Sequence, residues 1–273
     1  MIVRYESDHL VLFCQDDHGQ VSGQMAAYWG NGDFLPVEEP YRSSVVTAAS
    51  MHDCGWREAD QVVQFRDDGR PYDFVTYPLE ARLDVYQRGV NMVEATDPYA
   101  AVLCSLHYTG FVQEMRGLTG RLSLLVSRYL SVESQRRRRL TERLADTLTP
   151  AHILPDGRFD ERTMHHFALL RLWDLLSLLL CMTRPGSPPE TWGAWFGRGE
   201  IRMPTSVGQY RTVTLRWDGE ERLLLTPFPF SRPLDIFIPY RQLPAGVMSK
   251  PPQPPVFMEH FPPQRLFVRL DGG

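Results

Sequence analysis

The sequence predicts a mainly α-helical protein: a helical body over residues 1–185, opened by a short β-hairpin, and a β-rich C-terminal region over residues 186–273. Three observations predict it. Apolar residues recur at helical spacing before residue 184, most clearly Phe167, Leu170, Trp173, Leu176 and Leu180. Helix-starting chemistry stands before several of these segments, as in Asp97-Pro98, an acidic cap followed by proline at the first helical position. The character then changes at Arg184. Pro185, Pro188 and Pro189 end the helical part, and residues 210–217 and 222–226 alternate apolar with polar side chains around Asp218-Gly219, the pattern of a hairpin.

The elements follow in order. Residues 2–5 and 10–14 are β-prone runs about a polar turn and form the N-terminal hairpin. Asp16 or Asp17 caps a helix through about Trp29, which Gly30 and Gly32 end. Ser43 or Ser44 caps a second, over residues 45–54, closed by Gly55. Residues 60–80 are loop, with a turn at Asp68-Gly69. Helices follow over residues 79–93, 99–116 and 122–148, with Gly117 and Gly120 separating the last two. Asp160 or Glu161 opens the helix that runs to Met182. In the tail, residues 234–238 and 265–270 add strands, and residues 251–255 are proline-rich and irregular.

Composition bounds the function. The chain has 273 residues, enough for one large domain or two smaller ones; it is 43% hydrophobic and 23% charged, and so can bury its own core. A net charge of −4 gives no reason to expect nucleic acid. The run Arg136 to Arg139 reads as a solvated helix face. Lys250 is the only lysine, so a Schiff-base mechanism is disfavoured and any clamp for an anion is built from arginine. Cys14, Cys54, Cys104 and Cys181 form no CxxC pair and read as free thiols of a reducing compartment. The first seven residues lack the pattern of a signal peptide, and the longest apolar run, residues 175–182, is too short for a bilayer. The expectation is a cytoplasmic protein with no membrane partner; a homo-oligomer is compatible with the sequence.

Chemistry concentrates at four places where a metal-competent side chain interrupts an apolar stretch: His18, the pair His52-Asp53, His107 and Asp174. A carboxylate inside an apolar helix is costly unless it is paired or ligating. A salt bridge to Arg171, one turn earlier, is the bland explanation for Asp174, and a hydrogen-bonded core histidine the bland one for His107. Adjacent helical residues diverge by about 100°, so His52 and Asp53 reach one ion only near a helix end, where Gly55 places them. Imidazole and carboxylate together suit iron, manganese, nickel or zinc.

The order His, His-Asp, His, Asp on helices resembles the HD-domain superfamily of metal-dependent phosphohydrolases. The blocks DHGQVSGQMAAYWG, HDCGW and DPYAAVLCSLHYTGF are more closely similar to a bacterial domain-of-unknown-function family related to it, and the likeness covers most of the chain, tail included. The resemblance implies an HD-domain-like helical bundle. It implies His18, His52, Asp53 and Asp174 as ligands of a first metal, and His107 as the histidine that binuclear members add for a second. A second ion needs one more donor, for which Glu114 and His166 are candidates. Trp56 departs from the lysine of many such phosphohydrolases.

These readings give a metal-dependent hydrolase acting on a phosphate ester, with one or two divalent ions and a small, anionic substrate. Asp53 and His107 are the candidate catalytic residues, and Arg171 and Trp56 the candidate substrate contacts. Gln20 and Ser22 are candidate supports of His18, and Trp29 a pocket or core residue. Two alternatives stand beside it: a di-iron oxygenase of the inositol-oxygenase type, and a non-catalytic metal-binding or regulatory module.

Overall fold

A seven-stranded, curled sheet runs through the fold and overturns the expectation of a mainly α, HD-domain-like helical bundle. The computed structural model describes residues 1–246 and 256–273; Lys250 and the proline-rich residues 251–255 lie outside them. The helices are α1 (Gln15–Ala27), α2 (Arg42–Met51), α3 (Leu79–Thr96), α4 (Pro98–Glu114), α5 (Gly120–Leu144) and α6 (Glu161–Met182). The strands are β1 (Ile2–Tyr5), β2 (His9–Phe13), β3 (Val62–Val63), β4 (Glu200–Ser206), β5 (Gln209–Trp217), β6 (Arg222–Thr226), β7 (Leu234–Pro244), β8 (Val256–Phe257) and β9 (Gln264–Gly272). The large sheet has the order β1-β2-β7-β9-β6-β5-β4, antiparallel except between β6 and β9.

The correction has a physical cause. Alternation reveals a strand, but the partner of a strand is set by contacts distant in sequence. β7 pairs through Leu234–Tyr240 with β9 and through Arg241–Pro244 with β2. The N-terminal hairpin is thereby the edge of the same sheet as the tail. β4 escaped the sequence reading because Pro204 argues against a strand. It is the strand at the other edge, where a missing N–H is tolerated, and its register slips between Pro204 and Ser206.

Helices cover this sheet: α1 packs on β7, and α6 on β1 and β4. Ile236, Ile238, Val213, Leu215, Val268 and Leu270 point inward and join Val21, Met25, Trp173 and Leu176 in one core. Burying such a side chain fully contributes about 2 kcal/mol. β2 is apolar without alternation because both its faces are covered. Val11 and Phe13 enter the main core, while Leu10 and Leu12 join Val63, Leu243 and Met258 beneath the small β3–β8 ribbon.

Local chemistry sets the helix ends. Asp97 accepts from the Ala100 N–H with Pro98 in the first turn, and Asp160 accepts from the Thr163 N–H, as the sequence predicts. α2 differs: it begins at Arg42, ahead of the serines expected to cap it, and has no side-chain cap. Asp16 and Asp17 lie inside the first turn of α1, where their charge still complements the helix dipole. The arginine run is not one solvated face. Arg136 is buried against Glu133, Glu94 and Asn91, and Arg137 donates to Ser105 and Thr109 of α4. α6 is long and apolar enough to cross a membrane by length and composition, yet 67% of its most apolar window is buried inside the fold.

Candidate metal centre

Two glycines and a helix end bring the candidate ligands together. Gly19 and Gly23 lie on the face of α1 that meets α2. A Cβ at Gly23 would overlap the Ser50 side chain, and one at Gly19 would stand 3.1 Å from the Ser50 carbonyl oxygen. Without side chains there, the helices approach until His18 and His52 meet edge to face, 5.1 Å between ring centroids. α2 stops at Met51. His52 is its C-cap, and Asp53, at φ −110°, leads into the short helical turn Cys54–Trp56. The change of backbone direction lets both neighbours face one point. Gly55 nests this turn on α3, since a Cβ there would overlap the Val85 carbonyl and lie 2.8 Å from the Gly89 nitrogen. α4 supplies His107 and α6 supplies Asp174.

All five sequence-predicted metal residues, His18, His52, Asp53, His107 and Asp174, converge and are buried. His18 Nε2 lies 2.8 Å from Asp53 Oδ2, and His52 Nε2 lies 3.4 Å from Asp174 Oδ1. His107 Nε2 is 3.7 Å from Asp174 Oδ2. Two overlapping triads, His18–His52–Asp53 and His52–His107–Asp174, have metal-ligand spacing.

The surrounding bonds fix which histidine atoms face inward. His52 Nδ1–H donates to the Ala49 carbonyl at 2.9 Å, so Nε2 carries the lone pair. Ser177 Oγ–H donates to the Asp174 carbonyl at 2.8 Å, leaving its oxygen to accept from His18 Nδ1–H at 2.8 Å. His18 Nε2 is then also a lone pair. Two nitrogen lone pairs thus face carboxylate oxygens, acceptor against acceptor, and His52 Nε2 is buried without a hydrogen-bond partner. Such an array is stable only around positive charge, from protons or from a metal ion. The donor set fits a divalent metal.

The electrostatics agree. Burial disfavours protonation of His52, but Asp53 and Asp174 outweigh it and push it up to about 9. Burial also opposes ionisation of Asp53 and Asp174. The neighbouring histidines overcome it and hold both carboxyls below the usual range. His107 is different: burial dominates and takes it down to about 4, so it is neutral near pH 7.

Asp53, His107 and Asp174 form part of the lining of a cavity of about 840 Å³. Trp56 is fully buried in its wall against Tyr77 and Tyr86. Arg171 lies at the same cavity but does not pair with Asp174; its ion-pair partner is Glu114, 3.9 Å away, and both are exposed. Glu114 is thereby outside the cluster. So is His166, which bonds Tyr99 and Glu38. Ser22 backs the site by bonding Ser177 Oγ at 2.9 Å, whereas Gln20 is exposed and donates to the Ser50 carbonyl. Trp29 is core, packed on Trp173, Phe34 and Phe230.

Sequence reasoning missed several neighbours. Tyr108 OH donates to Asp53 Oδ1 at 2.8 Å and also contacts the His52 carbonyl. Its place beside His107 was the available signal. Arg82 reaches the cavity from α3, and Trp195, Arg202 and Tyr210 reach it from the β-rich region. No local pattern announces these, because the β4–β5 pairing that delivers Arg202 and Tyr210 is part of the sheet.

No curated protein and no solved structure matches the chain. A protein family does, over residues 1–245, a span that holds all five candidate ligands and strands β1 to β7, with β8 and β9 beyond it. The chain belongs to that family, described as Protein of unknown function (DUF3891).

Proposed function

We propose that the chain is a metal-dependent hydrolase of HD type that acts on small phosphate esters. One observation carries this reading: a buried cluster of histidines and carboxylates opens, through Asp53, His107 and Asp174, on a cavity of about 840 Å³ that Arg82, Arg171 and Arg202 also line. The ligand order His18, His52-Asp53, Asp174 is also the one that the HD-type resemblance implies.

His18, His52, Asp53 and Asp174 would hold a divalent ion (zinc, manganese, iron or nickel), with His107 beside them at the cavity wall. A bound ion supplies a lowered pKa for water and charge to offset the phosphoryl oxygens. His52 has one lone pair to give, because Nδ1 is committed to Ala49. Both triads draw on that nitrogen, so the donors suit one ion better than two. The di-iron oxygenase alternative finds less support for the same reason, and because Glu114 and His166 bond elsewhere.

In the reaction, a water oxygen adds to phosphorus, the P–O ester bond breaks, and the alcohol leaves with a proton. Asp53, held by Tyr108, orients the water. His107, at the cavity wall outside that four-residue set, would take the water's proton and pass it to the leaving alcohol. Arg171 meets the substrate's negative charge, and Trp56 forms the apolar wall beside it.

Elemental analysis and phosphatase assays test this. About one equivalent of metal per chain is expected, with turnover of phenyl phosphate. His52→Ala should stay folded, lose the metal and lose at least about 100-fold in kcat. A metal-free, fully active wild type overturns the reading. A folded, metal-free His52→Ala with unchanged turnover would instead favour the non-catalytic module, and oxygen consumption would favour the oxygenase.

A further inference from the structure

The cavity above the candidate centre carries more aromatic surface than the core needs. Trp195, in the turn Ala194–Gly199, lines it while 50% exposed, and Tyr210 on β5 lines it while 48% exposed. An indole is among the side chains that gain most from leaving water, so a half-exposed one at a cavity calls for a covering group. Phe74 meets Trp195 in a T-shaped contact, with centroids 5.9 Å apart and planes at 63°. A T-shaped pair uses one ring's edge and leaves ring faces open to a third ring. Tyr210 has Arg202 over its ring at 5.2 Å, which places a cation beside the aromatic surface. Arg171, half exposed and held by Glu114 at 3.9 Å, lies on the same helix as Asp174, one turn away.

The same cavity thus offers three things: metal-competent donors, arginines for an anion, and half-exposed aromatic side chains. From this we infer that the site selects phosphate esters whose alcohol part is a flat aromatic ring, with Trp195 as the residue that sets the preference by stacking on it. Phe74 and Tyr210 flank the ring, and the phosphate group lies between Arg171 and the His/Asp cluster. The inference rests on the phosphate-ester reading given above.

Phosphonates separate recognition from turnover, because their P–C bond resists hydrolysis. Benzylphosphonate and cyclohexylmethylphosphonate have the same charge and nearly the same size, but only the first is flat. Calorimetric titration of the metal-loaded protein should show benzylphosphonate binding about 5–20-fold tighter. Trp195→Ala should remove most of that difference, and Trp195→Phe, which keeps a flat ring, should restore much of it. Trp195 is half exposed, so these variants should melt near the wild-type temperature. Equal affinities in the wild type overturn the inference. So does a preference that survives Trp195→Ala, or failure of both phosphonates to bind. Turnover of phenyl phosphate is read separately. A flat-ring preference without turnover sinks the hydrolase reading and leaves the subsite; turnover without the preference does the opposite.

Discussion

Asp174 lies between Trp173 and Leu175 on α6, yet among the described residues no arginine pairs with it; its ionisable neighbours are His18, His52 and His107. That choice of partners separates a ligand set from an ordinary buried ion pair. Asp53 shows how tightly the set is held. One of its oxygens faces His18, and the other accepts from Tyr108, itself buried and stacked on Tyr86 at 4.1 Å and 19°. Tyr108→Phe keeps the ring and its stacking but leaves Asp53 Oδ1 without that donor. Such a loss costs about 1–3 kcal/mol. As a support of a ligand, it should also weaken metal affinity by about 10–100-fold. Urea unfolding and competitive chelator titration measure the two effects. Unchanged metal affinity would reduce Tyr108 to a packing residue.

At the scale of elements, the sequence disclosed helices with strong caps and concealed the sheet. Asp97 and Asp160 are short side chains that satisfy a nearby N–H, and such bonds are visible in a window of four residues. The pairing of β2 with β7 depends on segments at opposite ends of the chain, and β4 was hidden by Pro204 although its partner β5 follows it directly. The site divides in the same way. Asp174 stands out because a carboxylate in an apolar helix demands a reason, whereas His18 and the His52-Asp53 pair stand out through their sequence blocks and the order of the motif. Tyr108 and Ser177 do not, because a tyrosine or serine in a helix is ordinary. Trp195, Arg202 and Tyr210 could not be found without the sheet. The arginine run on α5 was misread for a similar reason. The sequence shows four cations, but not that α3 lies against the first of them with Glu94 and Asn91. Arg136 also bonds Glu133 Oε1 at 3.1 Å, and Glu133 is fully buried with Oε2 unpartnered. Arg136→Met strands that carboxylate and should cost about 3–5 kcal/mol in chemical denaturation, whereas Arg136→Met with Glu133→Leu should cost much less. Equal costs for the single and double variants would mean that the network is solvated.

The whole molecule carries its ionisable groups in two balances. Around the candidate centre, charges compensate one another. Near the start of α6, by contrast, burial simply keeps histidines neutral. His165 is taken down to about 4, by burial first and then by His166, against the pull of Glu38. His166 is also lowered by burial, with Glu38 opposing and Arg162 adding to the shift. Both fold with a weaker hold on the proton than the unfolded chain, whose histidines titrate near 6.5. As pH falls below about 6.5, the unfolded chain takes up protons that the fold refuses, so stability declines; the loss levels off once folded His165 itself titrates near pH 4. Neither residue belongs to the candidate metal cluster, so their contribution can be isolated. His165→Asn should flatten the fall of the urea midpoint between pH 6.5 and 4, by less than one proton's worth because the side chain is only partly buried. Above pH 7.5, where the imidazole is neutral in both states, the pH dependence of variant and wild type should run parallel. A variant whose slope between pH 6.5 and 4 matches the wild type's would place the acid sensitivity elsewhere, with buried His107 the next group to substitute.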